Sequence, residues 1–341
     1  MNKIILVTGG AGYIGSHTIV ELLNSGFDVV SVDNFSNSSV EVYERIKKIT
    51  SKDFHWYEAD INNEKLLRQI FEKHKISGII HFAAYKSVGE SVESPLKYYH
   101  NNINGLLTIL ALCQEFYINN LIFSSSCSVY GNVKKLPVNE SSPLLEAESP
   151  YAYTKQIGEK ILQDFSKSSD EVKIISLRYF NPVGAHFSAL IGENPINKPN
   201  NLVPIITGVA IGKFDRLIVH GNDYSTPDGT CIRDYIHVCD LAEAHVKAMM
   251  YLFEDKMRSN YDVFNLGTGR GVSVMEAILA FEKVSGIELK YSIGQRREGD
   301  VVAVYADSTK AFSELSWTAR FGIEEMMQSA WNWELAKGKP D

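Results

Sequence analysis

Five short runs rich in isoleucine and valine alternate along the chain with stretches of helical character, and this alternation constrains the fold most strongly. The runs are Ile4 to Val7, Val29 to Val32, Ile79 to Phe82, Leu121 to Phe123, and Ile174 to Leu177. Short apolar strands that alternate with helices predict a parallel sheet with helices packed on both faces. We therefore predict an α/β fold built on a Rossmann-like, doubly wound parallel sheet.

The residue composition of the sequence changes after about Asn181. Clusters of Pro, Gly and Asn, as in Asn194 to Pro204 and Gly221 to Gly229, favour loops there. The 341 residues are sufficient for about two domains. We predict a Rossmann domain over residues 1–180, joined by a returning segment near 236–264. Residues 181–341 then form a smaller, mixed α/β C-terminal domain that contacts a ligand.

Composition argues against several classes of partner. A net charge of −7 gives no broad positive field, so neither nucleic acid nor an anionic membrane is expected to bind. No apolar run reaches the roughly 18 residues that a membrane span requires. Four cysteines (Cys113, Cys127, Cys231 and Cys239) lack the spacing of a zinc site or a disulfide framework, and the nine histidines are scattered. We therefore expect reduced thiols, no metal site and a cytoplasmic protein.

A glycine-rich turn follows the first apolar run. Gly9, Gly12 and Gly15 open a helical pattern, and glycine lets a backbone turn sharply and approach a pyrophosphate at a helix N-terminus. The second apolar run leads to Asp33, where a carboxylate can bind both hydroxyls of an adenosine ribose and repel a 2′-phosphate. These features predict NAD rather than NADP. The alternative is a plain tight turn with a solvated Asp33.

A tyrosine and a lysine four residues apart form the candidate catalytic pair. Ser149 and Pro150 predict a helix start, and Tyr151 and Lys155 then share one helical face. A free phenol titrates near pH ~10, so a nearby lysine and the positive nicotinamide ring are needed to stabilise the phenolate of a general base. Tyr153 is the natural decoy, and the alternative is a surface helix with a chance pair.

A run of hydroxyl side chains follows the Leu121 to Phe123 strand. The run includes Ser124, Ser126 and Ser128. Ligands of a doubly wound sheet lie at the carboxyl ends of its strands, so these hydroxyls should face the same crevice as the glycine turn. Ser126 is then placed to hydrogen-bond a reacting oxygen. The alternative is an ordinary serine-rich turn.

With these motifs in order, the sequence resembles the extended short-chain dehydrogenase/reductase family and, within it, the UDP-glucose 4-epimerases. The resemblance runs nearly end to end through segments 12–18, 81–84, 87–91, 178–186, 233–238 and 296–300. It implies that Tyr151 removes the proton of a sugar 4-hydroxyl as hydride leaves that carbon, with Ser126 assisting and Lys155 holding the ribose and tuning the phenol. The 4-keto sugar then turns over and is reduced on its other face. It also implies tightly bound NAD, a UDP-sugar substrate and a homodimer.

The resemblance and the motifs together assign two sets of binding residues, with the C-terminal domain binding the substrate. The predicted cofactor-binding residues are Gly9, Gly12, Tyr13, Ile14, Gly15, Asp33, Asn34, Asn37, Ser38, Asp60, Ile61, Phe82, Ala83, Ala84, Lys86, Asn101, Ser124, Tyr151, Lys155 and Tyr179. The predicted substrate-binding residues are Lys86, Ser126, Ser128, Tyr151, Phe180, Asn181, Asn201, Leu202, Ile218, His220, Arg233, Arg297, Asp300 and Val304.

Two substrate-side predictions have a direct physical basis. The planar guanidinium groups of Arg233 and Arg297 fit phosphate oxygens and form a predicted pyrophosphate clamp, unless they only pair with Asp234 or Glu298. Val304 stands where relatives confined to UDP-glucose and UDP-galactose carry a bulky tyrosine. We hypothesise that the smaller side chain leaves room for an N-acetyl group, so that UDP-GlcNAc is also accepted.

Three rival functions remain open at this stage. A sugar-nucleotide 4,6-dehydratase needs an acid and a base beside the serine run, where this chain has Cys127 and Ser128. A simple dehydrogenase would release reduced cofactor. A non-catalytic NAD-sensing protein would be expected to have lost the pair of Tyr151 and Lys155.

Overall fold

The computed structural model describes residues 3–196, 199–297 and 300–337. Its strands are β1 (Ile4–Thr8), β2 (Asp28–Asp33), β3 (His55–Glu58), β4 (Ile76–His81), β5 (Asn120–Ser126), β6 (Lys173–Tyr179), β7 (Asn181–Val183), β8 (Leu217–His220), β9 (Ile232–His237), β10 (Tyr261–Leu266), β11 (Gly271–Ser273), β12 (Tyr291–Gly294) and β13 (Ala303–Val304).

The helices lie mostly between these strands. They are α1 (Tyr13–Asn24), α2 (Glu41–Thr50), α3 (Glu64–Lys73), α4 (Val88–Glu93), α5 (Pro95–Tyr98), α6 (Gly105–Glu115), α7 (Pro150–Ser166), α8 (Leu202–Ala210), α9 (Val238–Phe253), α10 (Val274–Ser285), α11 (Thr309–Leu315) and α12 (Ile323–Lys337), with a π-helix at Tyr99–Asn104 and a 3₁₀ helix at Cys127–Tyr130. No helix in the described ranges is long and apolar enough to cross a membrane.

The main sheet confirms the predicted fold class. Its order is β10-β6-β5-β4-β1-β2-β3, and every neighbouring pair is parallel. The chain moves outward from β1 in one direction through β2 and β3, and in the other through β4, β5 and β6. This reversal leaves a crevice at the carboxyl ends of the central strands, where such sheets bind ligands.

Helices cover both faces of the main sheet, which explains why its central strands are apolar throughout. Successive side chains of a strand point to opposite faces. Ile5 and Val7 pack into one core cluster together with Ile19 of α1. Leu6 packs into the other, which includes Leu67 of α3 and Ile109 of α6.

The remainder of the chain builds a smaller set of layers. Strands β11, β9 and β13 form a second sheet, to which β7 adds by pairing with β9, and β8 pairs with β12. A third core cluster joins α8, α10 and α12. Ser273 and Glu276 form a capping box that starts α10. This region therefore holds more regular structure than its loop-rich sequence suggests.

The segment 236–264 lies largely beside the main sheet. Helix α9 packs against α1 and β6, and β10 pairs with β6 at the edge of the sheet. Residues 181–235 and most of the chain after β10 contribute the smaller layers, whereas α11 packs against α9 and β10 at the main sheet. The domain boundary at residues 180 and 181 stays a prediction.

Candidate active site

The glycine turn connects the end of β1 to the start of α1 at the crevice. Gly9 has a φ of +69°, and a Cβ there would lie 2.8 Å from the Ala83 backbone nitrogen. A Cβ on Gly15 would lie 2.3 Å from the Gly9 carbonyl oxygen. Side chains at either position would push the turn apart. Helix α1 has Gly12 as its N-cap with no side-chain hydrogen bond, so its first N–H groups stay available to an anion.

Asp33, at the end of β2, is tied into this turn. Its Oδ2 accepts from the Ala11 N–H at 3.0 Å, and its Oδ1 accepts from the Phe35 N–H at 2.9 Å and from the Ser38 hydroxyl at 2.8 Å. The side chain is buried. The alternative of a solvated strand end is therefore wrong, since the carboxylate joins the glycine turn to the loop after β2.

The other predicted cofactor residues line the neighbouring loops. Asn34 donates to Asp60 Oδ2 at 2.9 Å. Burial raises the pKa of Asp60, but hydrogen bonds from Asn62 and Asn34 outweigh it and hold this pKa below its ordinary value. Asn101 lies on the π-helix and donates to Asn102 Oδ1 at 3.0 Å.

Asn102 is a residue that sequence reasoning missed. It is buried, it accepts from the Tyr85 N–H at 2.9 Å, and it donates to the Tyr85 carbonyl at 3.0 Å and to the Thr154 hydroxyl at 3.1 Å. These bonds fix the loop after β4 against α7. An isolated asparagine in a polar stretch carried no signal of this role.

Helix α7 begins as predicted and carries the candidate catalytic pair. The Ser149 hydroxyl accepts from the Ala152 N–H at 3.2 Å, and Pro150 occupies the first turn. Lys155 is buried, and its Nζ donates to the Ser124 carbonyl at 2.6 Å. Tyr153 is 49% exposed. The decoy therefore lies on the solvent side of the helix, while Tyr151 shares its face with Lys155.

Burial is the largest influence on the ionisation of the pair. Burial raises the pKa of Tyr151 to about 12, although a hydrogen bond with the Ser126 hydroxyl acts to lower it. Burial lowers the pKa of Lys155 to about 7, against the raising effect of Glu159. Lys155 Nζ donates to the Ser124 carbonyl rather than to the phenol, and the lowering of the phenol pKa by Lys155 together with the nicotinamide ring stays a prediction. A phenolate therefore needs a positive charge that arrives with a ligand.

The serine run closes the site on the side of β5. Ser126 is the last residue of β5, and its hydroxyl accepts from the Ser128 N–H at 3.2 Å to cap the short 3₁₀ helix. The Ser128 hydroxyl is buried and has no hydrogen-bond partner among the described residues. Buried polar groups are rarely left unpaired, so this hydroxyl points to a ligand that completes it.

The arginine pair behaves differently from the alternative considered. Arg233 donates to the Val301 carbonyl at 2.8 Å and to Asp300 at 3.1 Å. Asp234 instead accepts hydrogen bonds from Thr268, Gly269 and Ala306. The pairing of Arg233 with Asp234 is therefore wrong, since four donors already surround that carboxylate. Arg297 is exposed, and Glu298 lies outside the described residues.

Two predicted residues from opposite sides of the crevice meet on a carboxylate that was not predicted. Lys86 Nζ lies 3.4 Å from Glu193 Oε1, and Asn201 donates to the same oxygen at 2.6 Å. Leu202 begins α8 directly after Asn201. Glu193 lies in a Pro- and Asn-rich stretch that gave no signal of this role.

The remaining substrate-side residues fall into two groups. Phe180 and Val304 are buried together in one apolar cluster with Tyr130, beside the 3₁₀ helix. Asn181 starts β7 immediately after Phe180. Ile218 and His220 lie on β8, and His220 Nδ1 is 3.2 Å from the Gln295 carbonyl, in the segment that leads to Arg297. Tyr179, which was predicted to bind the cofactor, is buried, with its hydroxyl 2.9 Å from His245 Nε2.

Comparison with known proteins agrees with this geometry. The family model described as GDP-mannose 4,6 dehydratase matches residues 6–330. The UDP-glucose 4-epimerase of Bacillus subtilis (strain 168) is 50% identical over 330 residues, which cover 97% of this chain and 96% of that protein.

Solved structures of similar proteins superpose over nearly the whole chain. A UDP-glucose 4-epimerase from Bifidobacterium longum, in complex with NAD⁺ and UDP, has a TM-score of 0.93 and 45% identity, with 98% of each chain covered. One from Stenotrophomonas maltophila, with bound NAD and formylated UDP-arabinopyranose, has a TM-score of 0.95 and 45% identity, with 99% of this chain and 98% of that one covered. The chain therefore belongs to the extended short-chain dehydrogenase/reductase family and, within it, to the UDP-glucose 4-epimerases.

Proposed function

We propose that the protein is an NAD-dependent isomerase that inverts carbon 4 of UDP-hexoses and interconverts UDP-glucose and UDP-galactose. The observation that carries this proposal is the convergence of Tyr151, Lys155 and Ser126 at the carboxyl edge of β5, beside the glycine turn. The names and bound ligands of the similar proteins support it.

The residues around the turn fit NAD. The uncapped N-terminus of α1 offers N–H groups and a partial positive charge to the pyrophosphate, and Gly9 and Gly15 leave the close approach open. Asp33 faces the ribose end with a carboxylate, which disfavours a 2′-phosphate. Bound NAD supplies a hydride acceptor, and later a hydride donor, at the sugar carbon.

Side chains of the protein transfer the proton of the sugar 4-hydroxyl. The phenolate oxygen of Tyr151 accepts the proton of the sugar 4-hydroxyl and later returns it, so the protein ends each turnover unchanged. The Ser126 hydroxyl donates a hydrogen bond to the same sugar oxygen. Lys155, fixed by the Ser124 carbonyl, is placed to hold the nicotinamide ribose, and its Nζ lies 6.0 Å from the centre of the Tyr151 ring. General acid–base catalysis of this kind contributes roughly 10²–10⁴-fold to a rate.

We assign to Arg233 and Arg297 the role of binding the diphosphate of the substrate. The bonds of Arg233 to Val301 and Asp300 hold the guanidinium in place before a ligand arrives, so less side-chain entropy is lost on binding. We place the sugar between this clamp and Tyr151, next to Ser128 and Asn181.

The decisive experiment omits added cofactor. Purified protein is incubated with UDP-galactose, and UDP-glucose formation is followed by proton NMR. We expect product without external NAD, because the cofactor remains bound between turnovers. Failure to form product even after NAD is supplied contradicts the proposal. Accumulation of NADH absorbance in step with substrate loss would instead identify a dehydrogenase.

The residues beside the serine run do not suit a 4,6-dehydratase. Elimination of water needs an acid and a base beside the serine run. The residues there are Cys127 and Ser128, and burial raises the pKa of the Cys127 thiol to about 12. A thiol held in that form is a poor proton donor or acceptor at neutral pH.

We further propose that UDP-GlcNAc is accepted, that the protein forms a homodimer and that it works in the cytoplasm. Val304 is small and packs against Phe180 at the sugar end of the crevice, which supports room for an N-acetyl group. Val92, Leu96 and Tyr153 are exposed on the adjacent helices α4, α5 and α7, which supports a dimer face.

The four cysteines carry free thiols, as a reducing compartment requires.

A further inference from the structure

Three consecutive serines at the end of β5 contact α7 at intervals of one helical turn. The Ser126 hydroxyl lies near the Tyr151 phenol and acts to lower its pKa, the Ser124 carbonyl accepts from Lys155 Nζ at 2.6 Å, and the Ser125 hydroxyl donates to Glu159 Oε1 at 2.5 Å. Tyr151, Lys155 and Glu159 are four residues apart and therefore share one face of the helix. The first two belong to the proposed catalytic machinery, and the third has no assigned role.

Glu159 is also bound from the next strand. Arg178 Nε donates to Glu159 Oε1 at 2.9 Å, and its second guanidinium nitrogen donates to Oε2 at 2.6 Å. Ser125 and Arg178 are direct neighbours in the pairing of β5 with β6. All three side chains are buried. One carboxylate on α7 is thus held by two adjacent strands at once.

The contacts extend beyond the ion pair. Arg178 donates to the Tyr130 hydroxyl at 2.9 Å, and Tyr130 donates to Asn265 Oδ1 at 2.6 Å. Tyr130 ends the 3₁₀ helix that follows Ser126, and Asn265 lies on β10. The network therefore joins α7, the three strands β5, β6 and β10, and the loop that carries Ser128.

A network of this kind is a weak source of stability. Two charges lose their hydration on burial, and apolar residues of the same volume often serve equally well. Position matters more here, because a displacement of about 1 Å at a catalytic group can cost roughly 100-fold in rate. The ion pair lies one turn from Lys155 and two from Tyr151, where a small rotation of α7 would separate both from their serines.

We propose that Glu159, together with Ser125 and Arg178, forms a positioning brace: it holds α7 in register on β5 and keeps a negative charge one turn from the Lys155 ammonium. This inference rests on the proposed epimerase function. Glu159 touches neither sugar nor cofactor, so it is a positioning residue. The ionisable groups around Lys155 are Tyr151 and Glu159 on α7, His81 on β4, and Arg178 behind Glu159. Burial, and to a lesser extent Lys155, lowers the pKa of His81 to about 3, so it is neutral at pH 7.

The test compares Glu159→Gln, Glu159→Asp and Ser125→Ala with the wild type. For each protein we would measure kcat and KM for UDP-galactose across pH, the bound NAD, the melting temperature and a crystal structure. We expect Glu159→Gln to lower kcat by roughly 10–100-fold with KM little changed, because only the alignment is lost. The alkaline limb of kcat should move to lower pH in Glu159→Gln, which removes the charge, and not in Glu159→Asp or Ser125→Ala.

The other readouts separate a brace from a purely structural role. In the Glu159→Gln crystal, Lys155 Nζ should leave the Ser124 carbonyl while NAD content is retained. A folded Glu159→Gln enzyme with wild-type kcat and an unmoved alkaline limb overturns the brace. If Glu159→Gln does not fold, the test of the brace rests on Ser125→Ala. An unchanged kcat in Ser125→Ala also overturns the proposal. An inactive wild type would instead refute the proposed function, and the crystal structures would then be the test of the brace.

Discussion

Lys155 and Tyr151 share one face of α7, but the lysine is directed away from the phenol. Its Nζ lies 6.0 Å from the centre of the Tyr151 ring and donates to the Ser124 carbonyl at 2.6 Å. Burial acts on the two groups in opposite directions, favouring the neutral phenol and the neutral amine. The positive charge of a bound nicotinamide acts in the direction that lowers the phenol pKa.

Replacing the phenol tests its role as the base. We expect Tyr151→Phe to fold, to retain NAD and to lose at least about 100-fold in kcat, since only the hydroxyl that carries the proton is removed. Steady-state turnover of UDP-galactose and the NAD released on denaturation are the measurements. Tyr153→Phe is the matched control, because this exposed tyrosine lies on the same helix. Activity near wild type in Tyr151→Phe would remove Tyr151 from the mechanism.

The pH dependence of catalysis follows from Lys155. Its pKa of about 7 lies below the ordinary lysine value of 10.5, so the charged form is lost as pH rises through the lowered pKa. If the charge is needed, the alkaline limb of kcat/KM should fall well below pH 10.5. The measurement is kcat/KM for UDP-galactose from pH 6 to 10, with Lys160→Met, an exposed site on α7, as the control variant. A flat profile up to pH 10 contradicts a role for the charge.

The size of the Val304 side chain is the basis for our expectation of which UDP-sugars are accepted as substrates. Val304, on β13, is buried in the same apolar cluster as Phe180, and we propose that a larger side chain at this position would reduce the room for the sugar. We expect the wild type to turn over both UDP-galactose and UDP-GlcNAc. Val304→Tyr should keep the first activity and lose most of the second. Negligible turnover of UDP-GlcNAc by the wild type would reject this interpretation.

Local patterns predicted the fold and part of the site. Each of the five apolar runs lies in a strand of the main sheet or continues one, because a buried parallel strand needs apolar residues on both faces. The glycine turn and the Ser149 cap were equally predictable, since their geometry depends on residues only a few positions apart. The Tyr151 and Lys155 spacing correctly placed both on one face of α7.

Long-range choices of partner were not predictable from the sequence. Arg233 has an aspartate beside it, yet it pairs with Asp300, 67 residues away, because Asp234 points to the opposite side of β9 and is already hydrogen-bonded. Glu159 stands one turn after Lys155, but its significance depends on Arg178, which β6 brings beside β5. The spacing of residues in the sequence indicates which of them share a face of a helix or strand. Which partners those residues contact depends on the tertiary fold.

The proposed dimer face leads to a charge-insertion test. Leu96 is 75% exposed on α5 and Val92 is 62% exposed on α4. A glutamate buried there without a partner is strongly unfavourable, so Leu96→Glu should shift the protein from dimer to monomer in light scattering after gel filtration. Leu279→Glu is the matched control, because Leu279 is similarly exposed on α10. A wild type that is monomeric at micromolar concentration contradicts the proposal.

Four buried histidines make stability sensitive to mild acid. Burial lowers the pKa of His17 and His81 to about 3, and that of His237 and His245 to about 4. The unfolded chain binds these protons near the ordinary pKa of 6.5, so stability is full above that pH and declines as pH falls toward 4. Each histidine contributes a slope of up to about 1.4 kcal/mol per pH unit.

Urea unfolding of the NAD-loaded protein between pH 7 and 5.5 measures this slope. Burial raises the pKa values of Asp234 and Asp240, whose influence on the slope has the opposite sign, so the share of the histidines is measured by comparing a histidine variant with the wild type. His81→Asn should reduce the slope by the share of one histidine, because its amide lies close to the position of Nδ1 and can still bond the Thr8 hydroxyl but cannot take up a proton. A free energy of unfolding that does not vary across this window contradicts the prediction, since four neutral buried imidazoles cannot unfold into mild acid without binding protons.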